Sequence, residues 1–550
     1  MINNNKIFHA VPSGKPSLRA AYELWLKSQT DVGKTAPESF NGIPQGATVG
    51  IIGGGMAGLY SALILKSRGV NFHVLEASSR LGGRVYTYRF NEKPNQYFEA
   101  GAMRLPDIPE QEPVFNLIDY LNERVSPDMK IDRIRYVLYD DDGNRVNVNS
   151  TRNSDGGIMS VKYANTNPAE LGFILKPEDQ GKTATELLNE VIQPFVDMLE
   201  KDFEKGFQAI IQYDDYSFYS YLQMEAGWYN DKINYVETMT SQTNQFQNSF
   251  TELIIENIDF SQANWYSIAN GMDRLPNACA EVVGYDNITL DAPVNTIQYT
   301  DDGRVRVFYG SDYKYKTFDY VIAAVPPAVL KMLVVPQWSS SKTQAIRSLH
   351  FEPLYKIGMR FKTRFWEKVK NPSFGGQSIS DLPSRWFVYP SYGFGDDDEG
   401  VLLLYSWMTD AYVWLAYSEE ERQRIALRDL QAMYPEVKLF DQFIESFDVS
   451  WSQKWATGDA MFYPGQFRNL FNIARQPEGR VFFAGEHLSV HHTWIVGALD
   501  SALLACGQLL GQPLSPIVPE GKDATTHTYD YSGIHPCQPK IQRPERVAAE

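Results

Sequence analysis

A run of glycines between an apolar strand and a helix constrains this chain more than any other feature of its sequence. Residues 48–52 form an apolar run of strand length, and Gly53-Gly54-Gly55-Met56-Ala57-Gly58 follows it directly. A helical pattern continues over 57–68, Gly69 stands where a left-handed helix cap is expected, and 72–76 is a second apolar strand. The order strand, glycine turn, helix, strand predicts a parallel βαβ unit.

The spacing of these glycines predicts binding of a dinucleotide. In the pattern G-x-G-x-x-G, Gly53 permits a tight turn, Gly55 lets the backbone approach a pyrophosphate, and Gly58 lets helix and strand pack closely. The first turn of the helix then offers free N–H groups to the phosphates. Glu76 ends the second strand about 20 residues further on, where a carboxylate accepts hydrogen bonds from ribose hydroxyls and disfavours a 2′-phosphate. The motif therefore predicts FAD or NAD rather than NADP.

Length, charge and cysteine content exclude other classes of protein. With domains of roughly 150 residues, a chain of 550 residues is expected to contain two to four of them. Its net charge of −16 argues against nucleic-acid binding, which needs a basic surface. Three scattered cysteines do not suit a disulfide framework or a zinc site. No uncharged apolar run approaches the ~20 residues of a membrane helix, so we expect a cytoplasmic protein without membrane contact, with secretion in a processed form left open.

Two further segments distinguish FAD from NAD. Gly82-Gly83-Arg84 follows the acidic residue closely, and its arginine can reach a pyrophosphate with two hydrogen bonds. Far downstream, Phe483-Ala484-Gly485-Glu486-His487 ends a strand and leads toward a helix. Together these segments resemble those of the flavin-containing amine oxidases, and the similarity spans about residues 48–511. The resemblance implies FAD, with Glu486 binding its ribityl chain.

The resemblance also implies how FAD is held. No cysteine stands where monoamine oxidases attach the flavin covalently, so we expect noncovalent FAD. Trp494 and Ile495 follow Glu486 at the family's spacing and are expected to form one wall against the flavin, whereas Trp451 packs either on the isoalloxazine or in the core. The predicted cofactor-binding residues are Gly53, Gly55, Met56, Ala57, Gly58, Glu76, Ala77, Gly83, Arg84, Gly101, Ala102, Met103, Arg104, Val294, Trp451, Gly485, Glu486, Trp494, Ile495 and Val496.

Within that family the chain most resembles the L-amino acid oxidases. Gly101-Ala102-Met103-Arg104 matches their segment G-x-M-R, whose arginine pairs with the substrate carboxylate. A planar, permanently charged guanidinium suits a carboxylate better than an ammonium does. The stretch 375–390 is similar to a stretch of the same enzymes, and Tyr405 falls where they have a tyrosine that contacts substrate. A surface ion pair for Arg104 and a core position for Tyr405 are the alternatives.

Two further positions are predicted to contact the substrate or the flavin. Lys356 lies on an apolar strand that points it inward, and its family counterpart holds a water against flavin N5; a solvent-exposed strand edge is the alternative. Thr493, which precedes Trp494 in the substrate site, replaces a glycine whose carbonyl receives the substrate amine in many amino acid oxidases. The carbonyl is retained, but the side chain reduces the room beside the flavin. The nearby histidines lack a metal-ligand pattern, and we predict no metal site.

The fold is expected to be α/β (α+β), with a Rossmann-like FAD-binding domain, a mixed-sheet substrate-binding domain and a helical insertion. A short helix is predicted over 17–28. The predicted boundaries are 46–110, 262–335 and 455–515 for the FAD-binding domain, 1–45, 111–150 and 336–454 for the substrate-binding domain, 151–261 for the helical domain and 516–550 for a C-terminal tail.

The resemblance implies oxidative deamination of L-amino acids to 2-oxo acids, with release of ammonia and hydrogen peroxide. An L-amino acid and O2 are the expected partners, and a homodimer is one expectation because dimers are common in such enzymes. Four alternatives stay open: an amino acid 2-monooxygenase, a monoamine or polyamine oxidase, a flavin-binding protein without turnover and an NAD dehydrogenase. The preferred side chain is not readable. The aromatic segment 213–235 favours bulky apolar substrates only if it lines the cleft, and an acidic pocket residue would favour lysine or arginine.

Overall fold

The computed structural model describes residues 42–522 except 243, 261–263, 313 and 453–455. The helix predicted over 17–28, nearly all of segment 1–45 and the tail beyond residue 522 lie outside the described residues.

A five-stranded parallel sheet contains the predicted βαβ unit and confirms it. The order of its strands is Ile288–Thr289, Asn71–Leu75, Thr48–Ile52, Tyr320–Ala323 and Val481–Phe483. The helix Met56–Ser67 joins the first two strands of the chain and is buried from Met56 to Leu65. It packs against the sheet and against helices Arg274–Val283 and Ile495–Leu510, because a helix that is apolar on every side must be covered on every side. Gly69 has a φ of 66° and forms the left-handed cap.

A seven-stranded mixed sheet forms the second layer. Its strands run in the order Phe443–Ser450, Leu354–Phe361, Gly400–Trp407, Trp386–Val388, Gln377–Ser380, Arg145–Asn147 and Met159–Ser160. All neighbours are antiparallel except Gln377–Ser380 and Arg145–Asn147. In this register Lys356 lies opposite Tyr405, which in turn lies opposite Trp386. Because side chains alternate between the two faces of a sheet, these three project from the same face.

The segment 161–259 is mainly helical. Its aromatic part, 213–235, packs into a hydrophobic core in which Phe218 and Tyr235 are fully buried. None of the residues in that stretch is among those that line the cavity described below. The segment is therefore core and does not indicate a preference for bulky apolar substrates.

The remaining elements complete an arrangement of helices and sheets that confirms the predicted α/β class. The other helices are Glu112–Asn122, Val161–Thr166, Ala184–Lys201, Phe203–Ile211, Phe218–Met224, Asn230–Met239, Phe250–Asp259, Pro327–Leu330, Ser340–Ser348, Thr409–Tyr412, Glu419–Met433, Leu439–Gln442 and Asn472–Arg475. The other strands are Thr87–Arg89 with Tyr97–Glu99, Leu105–Pro106 with Trp265–Ile268 and Arg133–Arg135, Val294–Tyr299 with Val305–Tyr309 and Lys314–Phe318, and Phe351–Glu352 with Asp459–Ala460. Within the described ranges, no helix is both long enough and apolar enough to cross a membrane.

Candidate active site

A cavity lies where the carboxyl ends of the parallel strands meet one face of the seven-stranded sheet, which is where ligands bind in open α/β sheets. It brings together nineteen of the predicted site residues from widely separated segments. These are Gly53, Gly55, Met56, Ala57, Glu76, Gly83, Arg84, Gly101, Ala102, Met103, Arg104, Lys356, Tyr405, Trp451, Gly485, Glu486, Thr493, Trp494 and Ile495.

Four predicted cofactor contacts do not line the cavity. Gly58 faces the protein backbone, since a Cβ there would stand 1.9 Å from the carbonyl oxygen of Gly53. Val496 is fully buried in the last helix, and Val294 begins strand Val294–Tyr299, which belongs to another sheet. Ala77 directly follows Glu76.

The glycines of the G-x-G-x-x-G motif differ in what requires them. Gly53 has a φ of 105°, and a Cβ there would lie 2.6 Å from the carbonyl oxygen of Ala324. Gly55 has an ordinary extended backbone, with φ −75° and ψ −179°. A Cβ on Gly55 would meet only the Cα of Gly83, at 4.0 Å. Because neither conformation nor protein packing requires a glycine at position 55, the free space beside it fits a bound pyrophosphate.

Glu76 is held at the end of its strand by the loops around it. Its Oε2 accepts a hydrogen bond of 2.6 Å from the backbone N–H of Gly54, and its Oε1 accepts two from Ser78, at 2.9 Å from the backbone N–H and 2.7 Å from the hydroxyl. These bonds orient the carboxylate along the cavity wall, where the lone pairs that remain can accept ribose hydroxyls. The orientation of the Glu76 carboxylate fits the predicted hydrogen bonds to ribose hydroxyls.

Arg84 and Glu486 form an ion pair beside the cavity, in which the carboxylate is buried and the Arg84 side chain is 27% exposed. Arg84 Nη1 lies 2.7 Å from Glu486 Oε1 and 2.8 Å from the carbonyl oxygen of Gly458. The backbone N–H of Ala460 donates to the same carboxylate oxygen at 2.8 Å. Burial opposes ionisation of Glu486, but the charges of Arg84 and His487 more than offset it and hold the pKa of Glu486 well below its usual range.

The second oxygen of Glu486 faces a different environment. Oε2 is buried and accepts no hydrogen bond from the described residues, and His487 Nδ1 stands 3.6 Å away. An ionised oxygen without a donor costs free energy unless a ligand satisfies it. A ribityl hydroxyl would do so. Glu486 Oε2 without a donor, the space beside Gly55 and the oriented Glu76 together fit FAD. Arg84 is the charged group nearby that can donate hydrogen bonds to its pyrophosphate.

One face of the seven-stranded sheet forms the opposite wall of the cavity. Lys356, Tyr405 and Trp386 lie side by side across three strands, and the next pair in register, Leu354 and Trp407, lines the cavity too. The ring centroids of Trp386 and Tyr405 are 5.2 Å apart at 84°, an edge-to-face contact. Burial raises the pKa of the Tyr405 hydroxyl well above its usual value, so this tyrosine is a neutral hydrogen-bonding group.

Lys356 is buried on this wall rather than exposed at a strand edge. Its Nζ donates to the carbonyl oxygen of Gly101 at 2.6 Å and lies 4.6 Å from the ring centroid of Tyr405. Burial, and then the positive charge of Arg104, lower the pKa of Lys356 to about 7, while Glu99 and Asp459 oppose that shift.

Arg104 reaches the cavity from a segment that is bonded to the Arg84 loop. Gly101 and Ala102 donate backbone hydrogen bonds to the carbonyl oxygens of Tyr86 and Arg84, at 2.9 and 3.0 Å. The Arg104 side chain is only 9% exposed, with its guanidinium carbon 5.2 Å from the ring centroid of Phe260 and 5.6 Å from that of Trp265.

The guanidinium of Arg104 retains hydrogen-bonding capacity. Its Nη1 is buried and donates to no group in the part of the chain that the structure describes. Burial raises the pKa of the Tyr136 hydroxyl, although the charge of Arg104 opposes the shift. A permanent charge surrounded by aromatic rings, without a carboxylate bonded to it in that part of the chain, indicates a site for an anionic ligand group.

Three more predicted residues close the cavity at the start of the last helix and at Trp451. Thr493 has a φ of 70°, a left-handed conformation that β-branched residues rarely adopt. Trp494 follows as the N-cap of helix Ile495–Leu510, with its ring 5.7 Å from Phe260. Trp451 donates its indole N–H to the carbonyl oxygen of Ala100 at 2.6 Å while lining the cavity. The backbone of Thr493 thus keeps the geometry that suits glycine.

Several lining residues were missed by the sequence analysis. They include Ser78, Arg80, Glu256, Phe260, Trp386, Trp407 and Asp459. Trp407 is two positions from Tyr405 on one strand, so alternation within the strand was a usable signal. Glu256 lies in the last turn of helix Phe250–Asp259 and Phe260 directly follows the helix, but only tertiary packing brings this segment to the cavity. In the described part, no group of three or more His, Cys, Asp or Glu side chains is arranged to hold a metal ion.

Comparisons with known proteins agree with this site. Residues 56–510 match the family model described as flavin containing amine oxidoreductase. An L-amino-acid oxidase of the fish Siganus canaliculatus is 30% identical over 481 residues, covering 84% of this chain and 85% of that protein. A protein of Dictyostelium discoideum, provisionally named a bifunctional amine oxidase, is 33% identical over 500 residues, which are 84% of this chain but 46% of that protein.

A solved structure shares the fold. Putrescine oxidase bound to putrescine superimposes with a TM-score of 0.61 at 18% identity, over 83% of this chain and 97% of that chain. The chain therefore belongs to the flavin-containing amine oxidoreductase family, which confirms the resemblance found in the sequence and FAD as the cofactor.

The two glycines at positions 55 and 58 generate a first prediction. Gly55→Ala should alter the unfolding free energy of the apoprotein by less than about 1 kcal/mol, because the new Cβ meets only open space. It should weaken FAD binding about 10–100-fold, since the methyl occupies room needed by the cofactor. The matched variant Gly58→Ala should instead destabilise the apoprotein by about 1–3 kcal/mol. Thermal unfolding of both apoproteins and FAD titration followed by flavin fluorescence measure the contrast; equal loss of stability in both variants would contradict it.

The left-handed conformation at position 493 generates a second prediction. Thr493→Gly should be more stable than Thr493→Ala by about 1 kcal/mol, because only glycine adopts a positive φ without strain. At Arg424, an exposed position inside helix Glu419–Met433, the order should reverse, with alanine more stable than glycine by about 1 kcal/mol. Melting temperatures of the four holoenzyme variants test this. The same order of alanine and glycine at both positions would refute the strained backbone.

Proposed function

We propose that the protein oxidises L-amino acids to 2-oxo acids with release of ammonia, while O2 is reduced to hydrogen peroxide. The observation that carries this proposal is Arg104, a buried guanidinium that lines the same cavity as the FAD contacts and donates nothing from Nη1 within the described residues. The substrate amino acid and O2 enter, and one water completes the balance by hydrolysing the imino acid to oxo acid and ammonia.

The chemistry of Arg104 favours a substrate with a carboxylate. A guanidinium buried between Phe260 and Trp265 has lost most of its hydration, and an ionic partner with two oxygens would restore its hydrogen bonds. The carboxylate of an amino acid supplies those oxygens. A simple amine does not, and it would add a second positive charge beside the guanidinium. The named L-amino-acid oxidase among the relatives supports the same substrate class.

The other residues of the cavity have roles that follow from their positions. Tyr405, neutral and on the wall facing the cavity, is placed to donate a second hydrogen bond to the carboxylate. The carbonyl of Thr493 offers an acceptor for the substrate amine. The indoles of Trp386, Trp407 and Trp494 exclude water from the reacting region.

Gly55, Glu76 and Glu486 would hold FAD, which would supply an acceptor for the hydride of the substrate Cα and a route for the electrons to O2. The protein orients the substrate Cα by binding the substrate carboxylate. We expect this positioning to be the main contribution of the protein to the reaction rate. Lys356, on the sheet wall of the same cavity, supplies a positive charge near the flavin or binds a water molecule there. No carboxylic acid or histidine is required as a base if the substrate amine reaches the site in its neutral form.

The role of Arg104 generates a third prediction. Arg104→Ala should lower kcat/KM for L-amino acids by about two to four orders of magnitude, because it leaves the substrate carboxylate unpaired in a dry site. The decarboxylated amines should be poor substrates of the wild type and should lose little further in the variant. Anaerobic reduction of the flavin by each substrate, followed in a stopped-flow instrument, measures both.

The design of this test separates a carboxylate site from general damage. Bound FAD should remain stoichiometric in Arg104→Ala, and Arg104→Lys should recover part of the loss because it restores charge without the planar donor geometry. If the wild type oxidises amines as well as the matching amino acids, the carboxylate role is wrong and a monoamine or polyamine oxidase takes its place.

The buried ammonium of Lys356 generates a fourth prediction. Lys356→Met should slow reoxidation of the flavin by O2 by about one to three orders of magnitude, and should slow anaerobic reduction by substrate far less. In the wild type the reoxidation rate should fall as the pH rises through about 7, because the ammonium loses its proton there; Arg104, Glu99 and Asp459 are the charged groups that set this value. The variant should lack that pH dependence. Equal slowing of both half-reactions would assign Lys356 to substrate positioning or structure.

A further inference from the structure

A carboxylate that the proposed reaction does not use lines the cavity. Asp459 lies on the two-residue strand Asp459–Ala460, which pairs with Phe351–Glu352. The residue is 9% exposed and lines the cavity. Its Oδ1 is buried and has no hydrogen-bond donor among the described residues.

The groups around Asp459 place it between the cofactor contacts and the substrate wall. Burial, and then the charge of Glu486, raise the pKa of Asp459 to about 7, while Arg84 opposes the shift. On the other side, the charge of Asp459 acts on Lys356 and on the hydroxyl of Tyr405. Asp459 therefore lines the same cavity as the lysine and tyrosine of the sheet wall and acts on both through its charge.

A second carboxylate contributes to the same region. Glu256 is buried, lines the cavity from the last turn of helix Phe250–Asp259, and its charge also acts on Tyr405. Arg104 is the positive group that acts on this hydroxyl. Together with Lys356, the substrate end of the cavity thus presents two cations and two acidic side chains.

The two cations balance the two acidic side chains, and an amino acid that binds with a neutral amine adds its own carboxylate, so a neutral side chain leaves one negative charge unmatched. The substrate carboxylate pairs with Arg104, and the single α-amine pairs with one acceptor. An ionised carboxylate left in a dry cavity costs free energy, and a cation that binds beside it removes that cost. We propose that the preferred substrates are L-amino acids with a cationic side chain, an amine or a guanidinium as in L-lysine or L-arginine, and that Asp459 binds that cation.

This inference rests on the proposed amino acid oxidase function, and paired substrates keep the two distinguishable. L-Lysine and L-norleucine have side chains of similar length but differ in the terminal ammonium, so their ratio reports on Asp459. L-Lysine and cadaverine differ in the carboxylate, so their ratio reports on Arg104. If neither amino acid is oxidised, the proposed function fails; if both are oxidised equally well, only the substrate class fails.

The experiment compares kcat/KM of the wild type and Asp459→Asn for L-lysine and L-norleucine. The wild type should prefer L-lysine about 10–100-fold, the usual discrimination of a charge-assisted hydrogen bond. Asp459→Asn should reduce that preference to about threefold or less, mainly through loss of activity on L-lysine. Asp128→Asn, at an exposed position outside the cavity, is the matched control and should keep the wild-type preference.

A binding measurement tests the same point without turnover. 6-Aminohexanoate and hexanoate carry the carboxylate with and without the terminal ammonium, and neither has an α-amine to be oxidised. Their dissociation constants, read from the change in flavin absorption, should favour 6-aminohexanoate at least tenfold in the wild type and be nearly equal in Asp459→Asn.

Three results would overturn the inference. One is a wild type that shows no preference in either measurement. Another is an Asp459→Asn protein that loses FAD or loses activity on both amino acids to the same degree, which would make Asp459 a cofactor contact or a base. A third is a preference that survives in Asp459→Asn and disappears in Glu256→Gln, which would move the cation site to Glu256.

Discussion

The ion pair between Arg84 and the buried Glu486 is the contact on which the rest of the site depends. The two residues are 402 positions apart, and their contact joins the loop after the first βαβ unit to the end of the last parallel strand. Gly458 and Ala460 bond to the same pair, so a third segment is attached at that point. A buried ion pair contributes to a fold only when its remaining hydrogen bonds are satisfied. Here the backbone satisfies one carboxylate oxygen, and the other is left for a ligand.

The seven-stranded sheet supplies the opposite wall and sets the distance between charge and hydrogen-bonding groups. Because Lys356, Tyr405 and Trp386 share one register across three strands, no loop movement is needed to align them. Residues on paired strands keep their geometry better than residues on loops. This matters here because we expect the protein to accelerate the reaction mainly by positioning the substrate. Arg104 comes instead from a loop, but that loop is bonded to the backbone at Arg84 and Tyr86.

Burial decides the electrostatics of the cavity more than the overall charge of the protein does. The chain carries a net charge of −16, yet its cavity combines Arg104 and Lys356 with Asp459 and Glu256. Burial brings the pKa values of Lys356 and Asp459 from opposite directions to about 7. A ligand that matches these charges therefore gains more free energy than it would at the surface, and one that does not match them is rejected.

The sequence by itself determined the cofactor half of the protein. The glycine pattern and Glu76 require particular backbone shapes that few residues permit, so local order indicated the βαβ unit and a dinucleotide. The resemblance carried by the Gly82-Gly83-Arg84 and Ala484-Gly485-Glu486 segments then indicated FAD. Tertiary structure decided the substrate half. Asp459, Glu256 and Trp386 have no local pattern that separates a cavity position from a core position, because strand pairing and helix packing bring them together from distant segments. The aromatic segment 213–235 shows the same limit in reverse, since its composition suited a cleft and only its packing made it core.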